Sequence, residues 1–139
     1  MGTRIISDPA RVFTYCIQHI PLNVVAGMKG LGLEDESGQL VAGVVYEGYN
    51  RHNVWMHVAA EPGGKWLNRS FLRYCYHYPF VELGCKRVSG YVEASNLASR
   101  RFCEHLGYAQ EAVLSGAASD GGDVILYVMR REDCRYLEN

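Results

Sequence analysis

The sequence predicts a three-layer α/β/α fold around a central mixed, mostly antiparallel sheet, and three observations lead there. Apolar residues recur at helical spacing in three stretches and at strand spacing in the others. Clusters of Gly, Pro, Asn, Asp and Ser separate these stretches. The 139 residues are 48% hydrophobic with no linker, repeat or low-complexity tract, enough for a single core.

The elements follow in order. "DPARVFTYCIQHI" opens with Asp8 as N-cap and Pro9 at the first helical position, then sets Val12, Cys16 and Ile20 four residues apart, so it is a helix. "GLGLEDESGQLVAGVVYEGYN" reads as a strand, an Asp-Glu-Ser-Gly turn and a second strand. After a turn at 50–53, "VWMHVAA" makes a third antiparallel member that "EPGG" ends. From Lys65 the period changes, and Trp66, Phe71, Cys75 and Tyr78 suit a helix ending near Pro79. "KRVSGYVEA" is again a strand, and "SNLASRRFCEHLG" a helix with Ser95 as N-cap and Gly107 as its left-handed terminator. "YAQEAVLSGA" and "DVILYVMRR" close the chain as two strands about the turn "SDGGD". Antiparallel strands, a helix, a strand, a helix and a closing hairpin make the sheet mixed.

Composition narrows function. Fourteen basic residues against fifteen acidic give a net charge of −1, which offers no global attraction to nucleic acid or anionic membrane. The five cysteines are odd in number, widely spaced and free of a Cys-x-x-Cys pair, against both a disulfide framework and a metal knuckle, so no metal is expected. No apolar run reaches the roughly 20 residues of a membrane span and the amino terminus lacks a signal pattern, so the expected setting is cytoplasmic.

The specific signal lies between Val54 and Arg131. "LGCKRVSGYVEASNLASRRFCEHLGYAQEAVL" and "DGGDVILYVMRREDC" combine a strand running into N-x-x-S, a helix ending in L-G-Y, and a D-x-x-x-Y strand. On these residues the chain resembles the Gcn5-related N-acetyltransferases, which move an acetyl group from acetyl-coenzyme A to an amine. The nearer likeness is to the branch of the ribosomal-protein alanine N-acetyltransferases. The resemblance covers nearly the whole chain and implies one N-acetyltransferase domain over 1–139. It implies that Asn96 hydrogen-bonds the cofactor arm, Ser99 approaches its sulfur, and Phe102 lines the thiol end or the adenine side. Read without the family, Ala98, Phe102 and Leu106 are a core stripe at spacing four and Asn96 an ordinary first-turn residue.

Phosphate donors are expected in "VAAEPGGKWLNR". A helix starting near Gly64 would offer free N–H groups and the positive end of its dipole, and Gly63 and Gly64 would let the backbone approach. The chain departs from the family's R/Q-x-x-G-x-G/A pattern: only Gly64 aligns with a motif glycine, and Trp66 and Asn68 stand where small residues are usual. Trp66 and Leu67 would still donate N–H. Lys65 is expected at a phosphate, while Arg69, Arg73 and Arg100 suit either phosphate contact or a solvated face.

Acetyl transfer must polarise the thioester carbonyl, deprotonate the ammonium and protonate the leaving thiolate. The resemblance puts the polarising N–H at about Val58, with Ala60 pairing the cofactor's amides like an added strand. Where many members keep an acidic Tyr, this chain has Cys103, whose thiol could protonate a thiolate of similar basicity or act only as a small hydrophobe. Ser99 is the alternative acid, and Tyr108 and Tyr127 are spare hydroxyls. The Glu that related N-terminal acetylases carry five residues before the Asn is Tyr91 here, leaving His57, Glu47 and Glu93 as candidate bases.

Two other classes stay open: a catalytically degenerate module that binds coenzyme A or a protein, and an interaction module pairing through edge strands. For the transferase, the acceptor would be a peptide N-terminus, a lysine or a small amine. It would lie between "PLNVVAGMKG" and "SGAASDGGD", where Asp120 and Asp123 are few carboxylates for a strongly cationic acceptor. Homodimerisation through the last strands is a further expectation.

Overall fold

A computed structural model describes residues 2–20, 22, 27–61 and 68–137. Its sheet has seven strands in the order β1-β2-β3-β4-β5-β7-β6, with β1 at Arg4–Ile6, β2 at Lys29–Glu34, β3 at Leu40–Glu47, β4 at Asn53–Ala60, β5 at Arg87–Glu93, β6 at Ala109–Leu114 and β7 at Val124–Arg130. Helices α1 (Pro9–His19), α2 (Arg69–His77) and α3 (Leu97–Leu106) complete it. β4 runs parallel to β5 and every other neighbouring pair is antiparallel. The mixed three-layer reading therefore holds, with β1 added beside β2. Three residues were too short to show a period, and β1 is fixed instead by an ion cluster. Arg4 Nε donates to Glu34 Oε1 at 2.6 Å and Arg11 Nη1 to Glu34 Oε2 at 3.0 Å, tying β1 and α1 to the end of β2.

α1 begins as its sequence requires. The Asp8 side chain accepts from Arg11 N–H and Pro9 opens the first turn. Val12, Tyr15 and Cys16 face the sheet together with Val45, Ala59 and Met28. The helix lies close because glycines stand beneath it: a Cβ at Gly30 would come within 2.9 Å of Val12 Cγ1, and one at Gly43 within 2.8 Å of Cys16 Sγ. The opposite face buries the larger core, in which Phe71, Cys75, Tyr76 and Phe80 pack on Val44, Tyr46, Val54, Met56 and Val88. Tyr46 donates its hydroxyl to the Cys75 carbonyl at 2.5 Å, so the polar tip of this wholly buried ring is satisfied.

Two sequence expectations shift. The second helix begins at Arg69 rather than near Gly64, because Asn68 is extended (φ −111°, ψ 152°) and its side chain caps Phe71 N–H at 2.7 Å. Its far end falls at His77, near Pro79 as expected, and the chain passes on into a π-helical turn, Tyr78–Glu82, whose first turn tolerates a proline. The third helix is capped by Asn96, whose Oδ1 accepts from Ser99 N–H at 3.2 Å, whereas the Ser95 hydroxyl donates to Asp120 Oδ2 at 2.9 Å. Gly107 ends that helix at φ 110°, in the left-handed region, as expected. Along α3 only the lower part of the proposed stripe is inside: Leu106 is buried, Phe102 half-buried and Ala98 exposed. Its first turns stand at a cavity mouth rather than on the core.

Among the described residues no helix is long and apolar enough to cross a membrane.

Candidate active site

The site arises from a failure of pairing. The β4–β5 ladder runs only from Asn53↔Arg87 to Trp55↔Ser89, after which β4 continues along β3 and β5 along β7. Register shows which main-chain groups face the opening. Glu61 N–H donates to the Val41 carbonyl, so odd-numbered residues of β4 turn their main-chain groups to β3, and Met56, Val58 and Ala60 turn theirs toward β5. By the same parity, set by Arg131 N–H bonding the Lys86 carbonyl, Tyr91 turns its main-chain groups toward β4, while the Glu93 carbonyl accepts from Asn96 N–H. Backbone groups need partners, so this internal edge is suited to an extended, amide-bearing ligand.

A cavity of about 420 Å³ fills the opening. Met56, His57 and Val58 line it from β4, Gly90 to Glu93 from β5, and Asn96, Ser99, Phe102 and Cys103 from α3. Eight residues singled out in the sequence therefore meet in one place: His57, Val58, Glu93, Asn96, Ser99, Phe102, Cys103 and Tyr108. Ala60 ends β4 with its main chain toward the opening but does not line the cavity. Gly63, Gly64, Lys65, Trp66 and Leu67 lie outside the described residues. Gly90 passed unnoticed in the sequence, yet a Cβ built there meets only Met56 O, at 3.6 Å, so its lack of a side chain keeps the cavity open.

Asn96 spends its Oδ1 on the helix cap, and the cap does not use its Nδ2 donor pair. Of the proposed basic contacts, Arg69 Nη2 donates to the Arg135 carbonyl at 3.4 Å and Arg100 Nη1 to the Ala94 carbonyl at 3.3 Å.

The acid and base candidates differ in environment. Burial pushes the Cys103 thiol up to about 11, with the Glu104 carboxylate adding to the shift. Tyr127 donates to Glu104 at 2.9 Å and is turned away from the opening, while the Tyr108 hydroxyl borders the cavity between Tyr76 and Met56. Burial holds the Tyr108 phenol far above its ordinary value. Glu93 accepts from both Ser119 N–H (3.1 Å) and Ser119 Oγ (2.7 Å), so it straps the 115–123 loop to the end of β5. His57 and Glu47, alternatives in the sequence, form a pair: His57 Nε2 stands 2.6 Å from Glu47 Oε2. No residue spacing reveals that contact, because it is made across the β3–β4 ladder. Among the described residues no group of three His, Cys, Asp or Glu side chains could hold a metal.

No family model and no curated protein matches the sequence. Solved structures do match. A spermidine/spermine N-acetyltransferase of Vibrio cholerae superposes with a TM-score of 0.75 over 93% of this chain and 92% of that one, at 13% identity. The fold is that of the Gcn5-related N-acetyltransferases. A GNAT-family acetyltransferase of Bacillus anthracis shares it, with a TM-score of 0.62 and 19% identity over 74% of this chain and 66% of that one.

Proposed function

We propose that the protein transfers an acetyl group from acetyl-coenzyme A to a primary amine by direct attack in a ternary complex, as one N-acetyltransferase domain over 1–139. The observation that carries this is the β4–β5 opening, where the unpaired main chain of Val58 meets Asn96, Ser99 and Phe102 around one cavity. The cofactor fits that donor set, since its arm is extended and carries amides. Val58 and Ala60 would pair the arm, Asn96 Nδ2 would donate to it, Phe102 would flank it, and 63–67 would take its phosphates. Acetyl-coenzyme A supplies the activated acyl group. Val58 N–H polarises the acyl carbonyl, and His57 accepts the proton of the amine.

Ser99 is the proposed donor to the departing sulfur, passing on its hydroxyl proton as it takes another from the acylated nitrogen. Burial pushes the Cys103 thiol up to about 11, which weakens it as a direct acid toward a thiolate of ordinary basicity. The acceptor is a peptide N-terminus, as in the alanine N-acetyltransferase branch, or a small monoamine. Asp120 accepts from Ser95 Oγ and Gly122 N–H, and Asp123 from Gly116 N–H, so both of the loop's carboxylates are already engaged by hydrogen bonds. All five cysteines are free, which suits the reducing cytoplasm. Two copies would pair through β6, an edge strand exposed along its whole length.

Calorimetry with acetyl-coenzyme A tests the reading against Gly90→Leu, which projects a side chain into the cavity and leaves the β5–β7 ladder in place. Micromolar binding by the native chain, weakened at least about 10-fold in a variant of unchanged melting temperature, is expected. A native chain that does not bind acetyl-coenzyme A refutes it.

A further inference from the structure

Glu47 and His57 lie diagonally across the β3–β4 ladder. Glu47 pairs with Trp55 and His57 with Val45, so the four side chains share one sheet face. The His57 side chain is 11% exposed and Glu47 31%, and their 2.6 Å contact is short for a charge-assisted hydrogen bond. A second constraint comes from β5. The Tyr91 ring meets His57 edge-on, with centroids 5.4 Å apart and planes at 79°, and Trp55 in turn abuts Tyr91 at 6.1 Å. The imidazole is therefore held on one side by a carboxylate and on another by an aromatic wall.

We propose that Glu47 is the positioning residue of a Glu47–His57 dyad that takes the proton from the acceptor amine at His57 Nδ1. The proposal rests on the acetyl-transfer reading above and deepens it. A carboxylate only accepts, so in the neutral ring Nε2 carries the hydrogen and Nδ1 keeps its lone pair. Nδ1 has no hydrogen-bond partner among the described residues, and His57 lines the cavity. Once His57 is protonated, both nitrogens are donors and Glu47 stabilises the imidazolium it faces. The other titratable groups around the opening do not compete. Glu93 on β5 is spent on Ser119, Cys103 on α3 is held as a thiol, Tyr91 presents its ring edge, and the Tyr108 phenol is held protonated by burial. Among the described residues the α1 side contributes Ile20, the residue that ends that helix, and no titratable group.

An N–H bond of the ammonium breaks and its proton forms an N–H bond at Nδ1. The freed amine lone pair forms the C–N bond to the acyl carbon as the C–S bond breaks, and sulfur leaves with that electron pair. A second N–H bond of the acylated nitrogen then breaks, and its proton reaches the sulfur through the Ser99 hydroxyl, which gives one proton as it takes the other. The imidazolium releases the first proton to water. Amide, thiol and one proton are the net products from ammonium and thioester.

The test combines ¹⁵N NMR of histidine-labelled protein with kinetics on acetyl-coenzyme A, using an alanine-terminated peptide, a lysine peptide and a small monoamine as acceptors. In the native chain His57 is expected as the Nε2–H tautomer. Glu47→Ala should mix the tautomers and lower kcat about 10- to 100-fold, with KM for the acceptor and affinity for acetyl-coenzyme A within about twofold. Glu47→Gln, which keeps an acceptor oxygen without the charge, should fall between. His57→Gln should cost about 10²- to 10⁴-fold in kcat, and adding Glu47→Ala to it should cost little more. Native kcat in folded Glu47→Ala, an Nδ1–H tautomer in the native chain, or a full additional loss in the double variant overturns the dyad. A native chain that binds acetyl-coenzyme A but acetylates none of the acceptors overturns the transfer reading and the dyad's catalytic role with it. A native chain that transfers while the Glu47 variants match it overturns the dyad alone.

Discussion

Replacing Asn96 separates its helix cap from its proposed contact with the cofactor. Asn96→Ala removes the Oδ1 that holds Ser99 N–H at 3.2 Å and so exposes an uncapped first turn of α3. Loss of an N-cap of this kind costs about 1 kcal/mol, which for a chain between the usual small and medium size classes lowers Tm by about 3–5 °C. Asn96→Asp keeps the cap oxygen and places a negative charge at the helix N-terminus, so its Tm should match the native value or exceed it slightly. Only the Nδ2 donor is lost. One neutral hydrogen bond contributes about 0.5–1.5 kcal/mol, or about 2- to 12-fold in affinity, and the introduced carboxylate adds no new partner. Circular dichroism melts and calorimetry with acetyl-coenzyme A read the two effects independently. The expected pattern is a Tm fall in Ala alone and an affinity fall in both. Were Asp to melt as low as Ala, the cap would not be the stabilising feature. Were both to bind like the native chain, Asn96 would have no part in the groove.

Two further outcomes concern the scaffold. Gly43→Ala drives a methyl to within 2.8 Å of Cys16 Sγ and 3.2 Å of Tyr15 Cδ2, so urea unfolding should show a loss of about 1–3 kcal/mol, partly recovered by adding Cys16→Ala; an unchanged midpoint would mean α1 is not seated on that glycine. The Glu34 carboxyl is held below its ordinary range by hydrogen bonds and charge from Arg11 and then Arg4. Its stabilisation is present above the unfolded-state value of about 4.3 and is lost as pH falls through the lower folded value, so Glu34→Gln should flatten the acid limb of Tm against pH. Parallel limbs in the two proteins would show that the ion cluster does not set acid stability.

The elements that were legible were those whose information is local. Asp8 with Pro9, the Asp35 turn and Gly107 declare helix and hairpin ends through side-chain chemistry within four residues, and each sits where the sequence puts it. Asn68 carries the same kind of signal and caps α2, but the apolar Trp66 before it suits a helical period as well, so the sequence alone places the helix start too early. Ser95 and Asn96 are both good caps, and only the contact of Ser95 with Asp120, twenty-five residues away, decides between them. β1 is three residues long and is recognisable only through Arg4 meeting Glu34.

By itself the sequence determined the alternation of strands and helices, the two-faced sheet, and the set of polar residues near the β4 and α3 positions, because hydrophobic period and capping act along the chain. Tertiary structure decided which of those residues share a cavity. The parting of β4 from β5 depends on where a ladder stops, the vacancy at Gly90 on what stands opposite it, and the Glu47–His57 contact on strand register. Each is a relation between segments far apart in sequence, and no local pattern encodes it.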